Sequence, residues 1–554
     1  MPTTTRSSGV RVTVPETLSV AAEPRARRGR RAPIATTAAD PNLTRVTNDD
    51  VISALSNRLQ LLDAITVSPT GTPAQPDGRR RGAPDAVRGA QRVEFTVDLD
   101  PEEMAVVLVE QDGLYSWAQG ETATPPPARR GAPMKRQVTF AVDINPSSSA
   151  TRRRDQRGFV KDLILRPATA MVFKFVAGIA VGQVVKRLER DIEVGLIHIN
   201  SPDPTKWEKP PSPRKLKLPS DRAGRILLLI HGTFSTTRAG FGGLGASQMG
   251  RDLLAEAIDA YDAVIGFDHR TLSEDPLENA EQIAAALAGL DQGHGMRLDI
   301  VTHSRGALVG RSLIEHVLPK SSLDAHVAKA ILVAGTNGGT ELANSENWKV
   351  LLDLYTNLVV AGGRAVAAAA PPAALVSTIL AEAFDAITAL VKALAVTVLD
   401  EGKVPGLAAM SPGGAFIAEI NRTQPGQPDP TILDYFAIKS DFEITGLEGP
   451  QEFPTKLKRA IADELVDSLM DKKNDLVVDV PSMTLIDPET PGFLRDELDF
   501  GTNHWVYHSN YFVQQDAIRS LRRWLDLKPA GSVRQCRHRG NGPARGRRRR
   551  HRSL

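Results

Sequence analysis

Cysteine is all but absent: one residue, Cys536, in a chain of 554. A lone thiol excludes an internal disulfide framework and fits a reducing compartment. No apolar h-region follows Met1-Pro2-Thr3-Thr4-Thr5-Arg6, so no secretory signal is expected and the protein reads as soluble and cytoplasmic. There is no H-E-x-x-H and no cysteine cluster, which leaves no motif for a metal, and no cofactor is expected. The glycines at Gly240, Gly242, Gly243 and Gly245 lack the Lys-Ser/Thr ending that a P-loop needs. Net charge is only +3, with arginine concentrated in the two tails, while 41% apolar and 24% charged residues are ordinary for a globular protein. The length allows two or more domains with a large buried core.

What is present centres on Leu298-Asp299-Ile300-Val301-Thr302-His303-Ser304-Arg305-Gly306. A short apolar strand runs into a tight turn and then a helix, with Leu308, Leu313, Ile314 and Val317 at helical spacing. A serine on such a turn is a nucleophile elbow: the turn lifts the Ser304 hydroxyl out of the sheet and aims the Arg305 amide at an oxygen that becomes negative. Gly306 meets the demand for a small flanking residue, but Thr302 stands where glycine is usual.

Upstream, Arg225–Ile230 is a continuous apolar run, as a strand buried on both faces of a parallel sheet requires. It ends in His231-Gly232-Thr233-Phe234, where the Thr233 amide becomes the second oxyanion donor beside Arg305. His231 is read as a brace for that loop. Strands at Ala263–Asp268, Ala328–Ala334 and Tyr435–Ile438 alternate with helices, the pattern of a doubly wound α/β sheet.

A serine of this kind needs an acid and a base downstream. Asp475, before the apolar Leu476-Val477-Val478, is the preferred acid; Asp441 is second and Asp479 third. His508, shortly before a final amphipathic helix carrying Ile518, Leu521 and Trp524, is the preferred base over His504. Between Asn347 and Gly402 lies an insertion rich in Ala, Leu and Val, read as amphipathic helices and not a membrane span. It forms either a lid over an acyl chain or a cap for packing or dimerisation.

Ahead of this domain, residues 1–90 read as a disordered arm and linker containing one short helix, Asn48–Ile65. Residues 91–220 read as an accessory region. In it, Val93–Pro101 is echoed by Val138–Pro146, both alternating as half-buried strands do. These are strands that pack onto the main domain, or alternatively a module that binds a protein partner. An apolar helix is expected across Ala170–Leu188, interrupted by Lys174, and a Pro-rich link follows from Pro202 to Pro219. The arginine-dense tail, Arg534–Leu554, has no stacking aromatics, so no specific nucleic-acid module is expected.

Residues 222–527, with HGTFS, FDHRTLSEDPLENA, the T-H-S-R-G elbow, NDLVV and H-S-N-Y-F, resemble bacterial lipase/esterase-like α/β-hydrolases. The resemblance implies an α/β-hydrolase fold, a mostly parallel sheet with helices on both faces and a helical lid about 346–402. It implies a serine carboxylic-ester hydrolase using Ser304, His508 and Asp475, with the Thr233 and Arg305 amides as oxyanion hole and a small-molecule or lipid ester as substrate. The alternative is a hydrolase-fold interaction module with negligible turnover.

Overall fold

The computed structural model describes residues 1–22, 46–70, 90–118, 120–122, 135–148, 163–176, 189, 192–210, 212, 216, 218–290, 294–368, 373–396, 401–422, 433–443, 472–486 and 492–528. The arginine-rich tail, Cys536 and most of the first Pro/Gly-rich linker lie outside them.

The N-terminal part is built from strands β1 (Thr3–Thr5), β2 (Arg11–Thr13), β3 (Leu18–Val20), β4 (Gln60–Pro69), β5 (Gln91–Leu99), β6 (Glu103–Gln111), β7 (Leu114–Ala118), β8 (Gly120–Thr122), β9 (Arg136–Ile144), β10 (Pro146–Ser148), β11 (Leu163–Leu165) and β12 (Ala168–Val176), with helix α1 (Asn48–Leu55) between β3 and β4. Two five-stranded antiparallel sheets form, in the orders β1-β2-β5-β9-β8 and β3-β4-β12-β6-β7. Phe95, Phe140, Val107 and Val172 meet in the core between them. The two echoing segments are β5 and β9, paired with Phe95 opposite Phe140 and Thr96 opposite Thr139.

Three expectations are corrected here. The arm expected to be disordered carries β1 to β3, and Val12 and Leu18 sit in the core. The helix from Asn48 stops at Leu55, and Gln60–Pro69 is a strand. The apolar stretch expected to be helical begins with strand β12; residues 177–188 lie outside the described residues. Alternate side chains of β12 face different cores: Ala170 and Val172 enter the sandwich, Met171 and Phe173 pack against helices. A strand covered on both faces is apolar throughout and loses the period of two that marks a half-exposed strand.

The second part contains β13 (Gly195–His198), β14 (Gly224–Ile230), α2 (Gln248–Ala260), β15 (Ala263–Asp268), α3 (Pro276–Ala288), β16 (Met296–His303), α4 (Gly306–Arg311), β17 (Ala325–Val333), α5 (Trp348–Ala368), α6 (Ala373–Val396), β18 (Asp434–Phe442), β19 (Leu494–Asn503) and α7 (Gln515–Trp524). Its seven-stranded sheet has the order β13-β15-β14-β16-β17-β18-β19. β13 is antiparallel and every other pairing is parallel. Ile226, Leu228 and Ile230 face a core shared with α3 and α4, while Leu227 and Leu229 face one shared with α2 and α7. The fold is therefore α/β, with helices on both faces. The boundary expected near residue 220 moves back, because β13 already belongs to this sheet.

Helices α5 and α6 sit between the two parts. On one side Leu352, Phe384 and Ile387 pack with Leu108, Met171 and Phe173 of the N-terminal sheet. β7 is an edge strand, and α5 covers its open backbone: Trp117 N donates to Asp353 Oδ1 at 2.7 Å, and Tyr115 N donates to Asn357 Oδ1 at 2.8 Å. Asn357 Nδ2 returns a bond to the Tyr115 carbonyl at 2.6 Å. Covering an edge this way removes a template for strand addition. By length and composition both helices could cross a bilayer, yet most of each is buried against protein.

Candidate functional site

The turn after β16 is held in an unusual conformation. Ser304 has φ of 56°, which an L-residue adopts only when surrounding structure enforces it. The enforcement is local. Ser304 N donates to Val333 O at 2.9 Å, and Gly306 packs so closely beneath β14 that an added Cβ would lie 2.3 Å from the Ile230 carbonyl. The bulk of Thr302 is accommodated one turn later, where a Cβ on Gly310 would come 2.9 Å from the Thr302 methyl.

The structure brings Ser304, His508 and Asp475 together. Ser304 Oγ lies 2.9 Å from His508 Nε2, and His508 Nδ1 lies 2.9 Å from Asp475 Oδ2. The carboxylate fixes the tautomer: Nδ1 carries the proton and donates to Asp475, so Nε2 accepts from the serine hydroxyl. Asp475 is fully buried and its charge is met from every side. Val477 N and Val478 N donate to Oδ1 at 3.1 and 2.9 Å, and the Tyr511 hydroxyl donates to Oδ2 at 3.0 Å. The His508 amide also donates to the Asp475 carbonyl at 3.0 Å, so base and acid are joined through backbone as well as side chain.

The other candidates lie elsewhere. Asp441, on β18, accepts from the Thr502 hydroxyl at 2.6 Å, and Asp479 pairs with Lys472 at 3.5 Å. His504 is exposed and stacks edge-on against Trp505. None of these three lines the Ser304 pocket.

Gly232 abuts the serine, since a Cβ there would lie 2.6 Å from Ser304 Cβ. Thr233 and Arg305 are both buried, and among the described residues neither backbone amide donates to another protein group. The His-Gly-Thr-Phe loop is set by a relay the sequence did not disclose. Buried Glu189 accepts from the amides of Thr271, Leu272 and Ser273 at 3.1, 3.0 and 2.7 Å, and the Thr271 hydroxyl accepts from Phe234 N at 3.3 Å. Burial raises the Glu189 pKa against the pull of those amides. The Arg305 side chain is also internal, with Nε on the Gly406 carbonyl at 3.1 Å and Nη2 on the Glu274 carbonyl at 2.6 Å. Burial lowers its pKa to about 10.

Two further histidines are neutral braces. His231 stacks on His269 at 3.9 Å between ring centres, and burial pulls its pKa down to about 4. His303 Nε2 donates to the His508 carbonyl at 2.9 Å, and burial lowers its pKa to about 3.

Above the serine lies a small cavity of about 80 Å³. Leu358, Val359, Val366, Ile379 and Phe512 make most of it apolar, with Ser304 only 1% exposed at its floor. An alcohol bonded to a neutral imidazole, itself oriented by a buried carboxylate, can hand over its proton as the oxygen attacks a carbonyl.

A family model, that of a domain of unknown function, DUF7379, matches residues 194–526. The chain belongs to this family. A second domain of unknown function, DUF7362, matches residues 7–175, the extent of the β-sandwich. No curated protein matches the chain in sequence. Among solved structures, phospholipase PlaB from Legionella pneumophila is similar at 13% identity and a TM-score of 0.30, over 47% of this chain and 46% of that one. The same phospholipase in complex with thio-NAD gives 14% and 0.33, over 56% and 60%. Lipase B of Aspergillus fumigatus gives 13% and 0.21, over 43% of each chain. The chain spans about half the length of the phospholipase, and likeness at this level assigns it no activity.

Proposed function

We propose that this DUF7379 protein is a serine carboxylic-ester hydrolase of the α/β-hydrolase type, acting through Ser304, His508 and Asp475. One observation carries the reading: the continuous hydrogen-bond chain from the Ser304 hydroxyl through His508 to a buried carboxylate, on a turn with positive φ.

In this reading Ser304 Oγ attacks the ester carbonyl as His508 Nε2 takes its proton. Asp475 stabilises the imidazolium and does not itself become protonated. The carbonyl oxygen, now negative, is met by the Thr233 and Arg305 amides, donors whose single loss typically costs about 10²–10³ in rate. His508 then protonates the departing alcohol, and water releases the acyl group by the same steps in reverse order. The apolar wall formed by α5 and α6 suits an apolar acyl group, and those helices act as a lid that must move aside to admit it, because Ser304 is sealed from solvent.

The test is hydrolysis of p-nitrophenyl esters of graded chain length by wild type and Ser304→Ala. The proposal expects wild-type turnover, reduced about 10⁴-fold or more by the substitution. Equal, background-level release from both proteins rejects it and favours the non-catalytic interaction module.

A further inference from the structure

We infer that Tyr355, carried on the inserted helix α5, is a further catalytic residue whose phenol donates a hydrogen bond to Ser304 Oγ as the serine attacks. The inference deepens the esterase reading and rests on it.

The lining of the cavity singles this residue out. Of the side chains that α5 and α6 contribute among the described residues, Tyr355 alone is polar. It is not at the rim but over the reacting centre, buried at 7% exposure. Its ring meets the His508 imidazole edge-on, 6.2 Å between centres at 75°, and meets Phe234 of the oxyanion loop at 5.0 Å and 71°. Tyr355 and Ser304 line the same cavity, together with His508. A buried phenol needs a polar partner, and the nucleophile is the hydroxyl at the floor of its cavity.

Direction follows from the tautomer. His508 Nε2 carries no proton, so the Ser304 hydroxyl donates to it, and the lone pairs of Oγ are left to accept from Tyr355. Burial raises the phenol pKa, which keeps the donor protonated. As Oγ bonds to the carbonyl carbon, the serine proton moves to His508 and the carbonyl π pair moves onto its oxygen. Tyr355 keeps its own proton throughout. It opposes the negative charge that builds on Oγ while that proton is in transit.

The residue is held for this task from behind. Asp353 and Asn357, two positions to either side of it, grip the backbone of β7, and Trp117 Nε1 donates to Thr356 at 2.9 Å. Ser509 Oγ donates to the Leu358 carbonyl at 3.0 Å, fastening the same turn to the loop of His508. The N-terminal sandwich thereby positions a group that lines the cavity of the reacting atom.

The experiment compares wild type, Tyr355→Phe and a chain with 3,5-difluorotyrosine at 355, reading kcat, KM and the rate of inactivation by a fluorophosphonate. Tyr355→Phe keeps the ring packing and removes only the donor. We expect kcat and the inactivation rate to fall about 10- to 100-fold, with KM within about threefold and the melting midpoint unchanged. The fluorinated chain keeps the shape and changes phenol acidity, so its kcat shifts where a purely structural role would leave it fixed. Wild-type kcat and inactivation rate in both variants overturn the inference while leaving the esterase reading intact. A wild-type protein inert to esters and fluorophosphonate alike overturns both.

Discussion

The Tyr511 hydroxyl and the His508 Nδ1–H donate to the same oxygen, Asp475 Oδ2, at 3.0 and 2.9 Å. The carboxylate is thus shared between the base it orients and a phenol three residues further along the chain. Burial and the neighbouring Asp475 charge hold the Tyr511 pKa well above its usual value, so it remains a donor. Tyr511→Phe should lower kcat by about 3- to 10-fold and destabilise the fold by about 1–2 kcal/mol, because one hydrogen bond to a buried charge is lost. Steady-state kinetics and urea unfolding on the same preparation check both.

Asp475 and Asp441 make opposite predictions. Asp475→Asn removes the charge that fixes the His508 tautomer and should cost about 10⁴ in kcat. Asp441→Asn touches the Thr502 and Lys473 contacts at the end of β18, away from Ser304, and should leave kcat within about threefold. A reversed order would move the acid to Asp441 and discard the assignment made from geometry.

The buried histidines set the acid limb of stability. His303 and His231 titrate at about 3 and about 4 in the folded chain, below the unfolded value near 6.5. Between those limits the unfolded chain binds more protons. Their contribution is therefore complete above about pH 6.5 and is lost as pH falls through the window, by about 1.4 kcal/mol per pH unit for each. Urea unfolding between pH 7 and 5 should show this slope, and His303→Gln should reduce it. A slope unchanged by the substitution would mean that His303 is charged in the native protein.

Much of the α/β part was legible because its strands are buried on both faces: Ile226–Ile230 is an unbroken apolar run, and Leu298, Ile300 and Val301 lead into the Gly-containing elbow. Ser304, Asp475 and His508 were legible for a related reason, since each follows a strand or a turn whose sequence is locally constrained. The same apolar continuity misled at Ala168–Val176, where a doubly covered strand looks like a buried helix. Tyr511 lay within a motif already noticed, and only its bond to Asp475 was hidden. Glu189 and Tyr355 carried no local signal. Their partners lie 82 to 84 positions along the chain for Glu189, and in another element altogether for Tyr355, contacts that only the tertiary fold creates.

The account stands on Ser304 being an activated nucleophile. The most direct measurement is intact-mass and peptide analysis of the full chain after treatment with a fluorophosphonate, beside Ser304→Ala. The account predicts one adduct on wild type, located on Ser304, and none on the variant. An unmodified wild type, or a label of equal stoichiometry on both proteins, would contradict it.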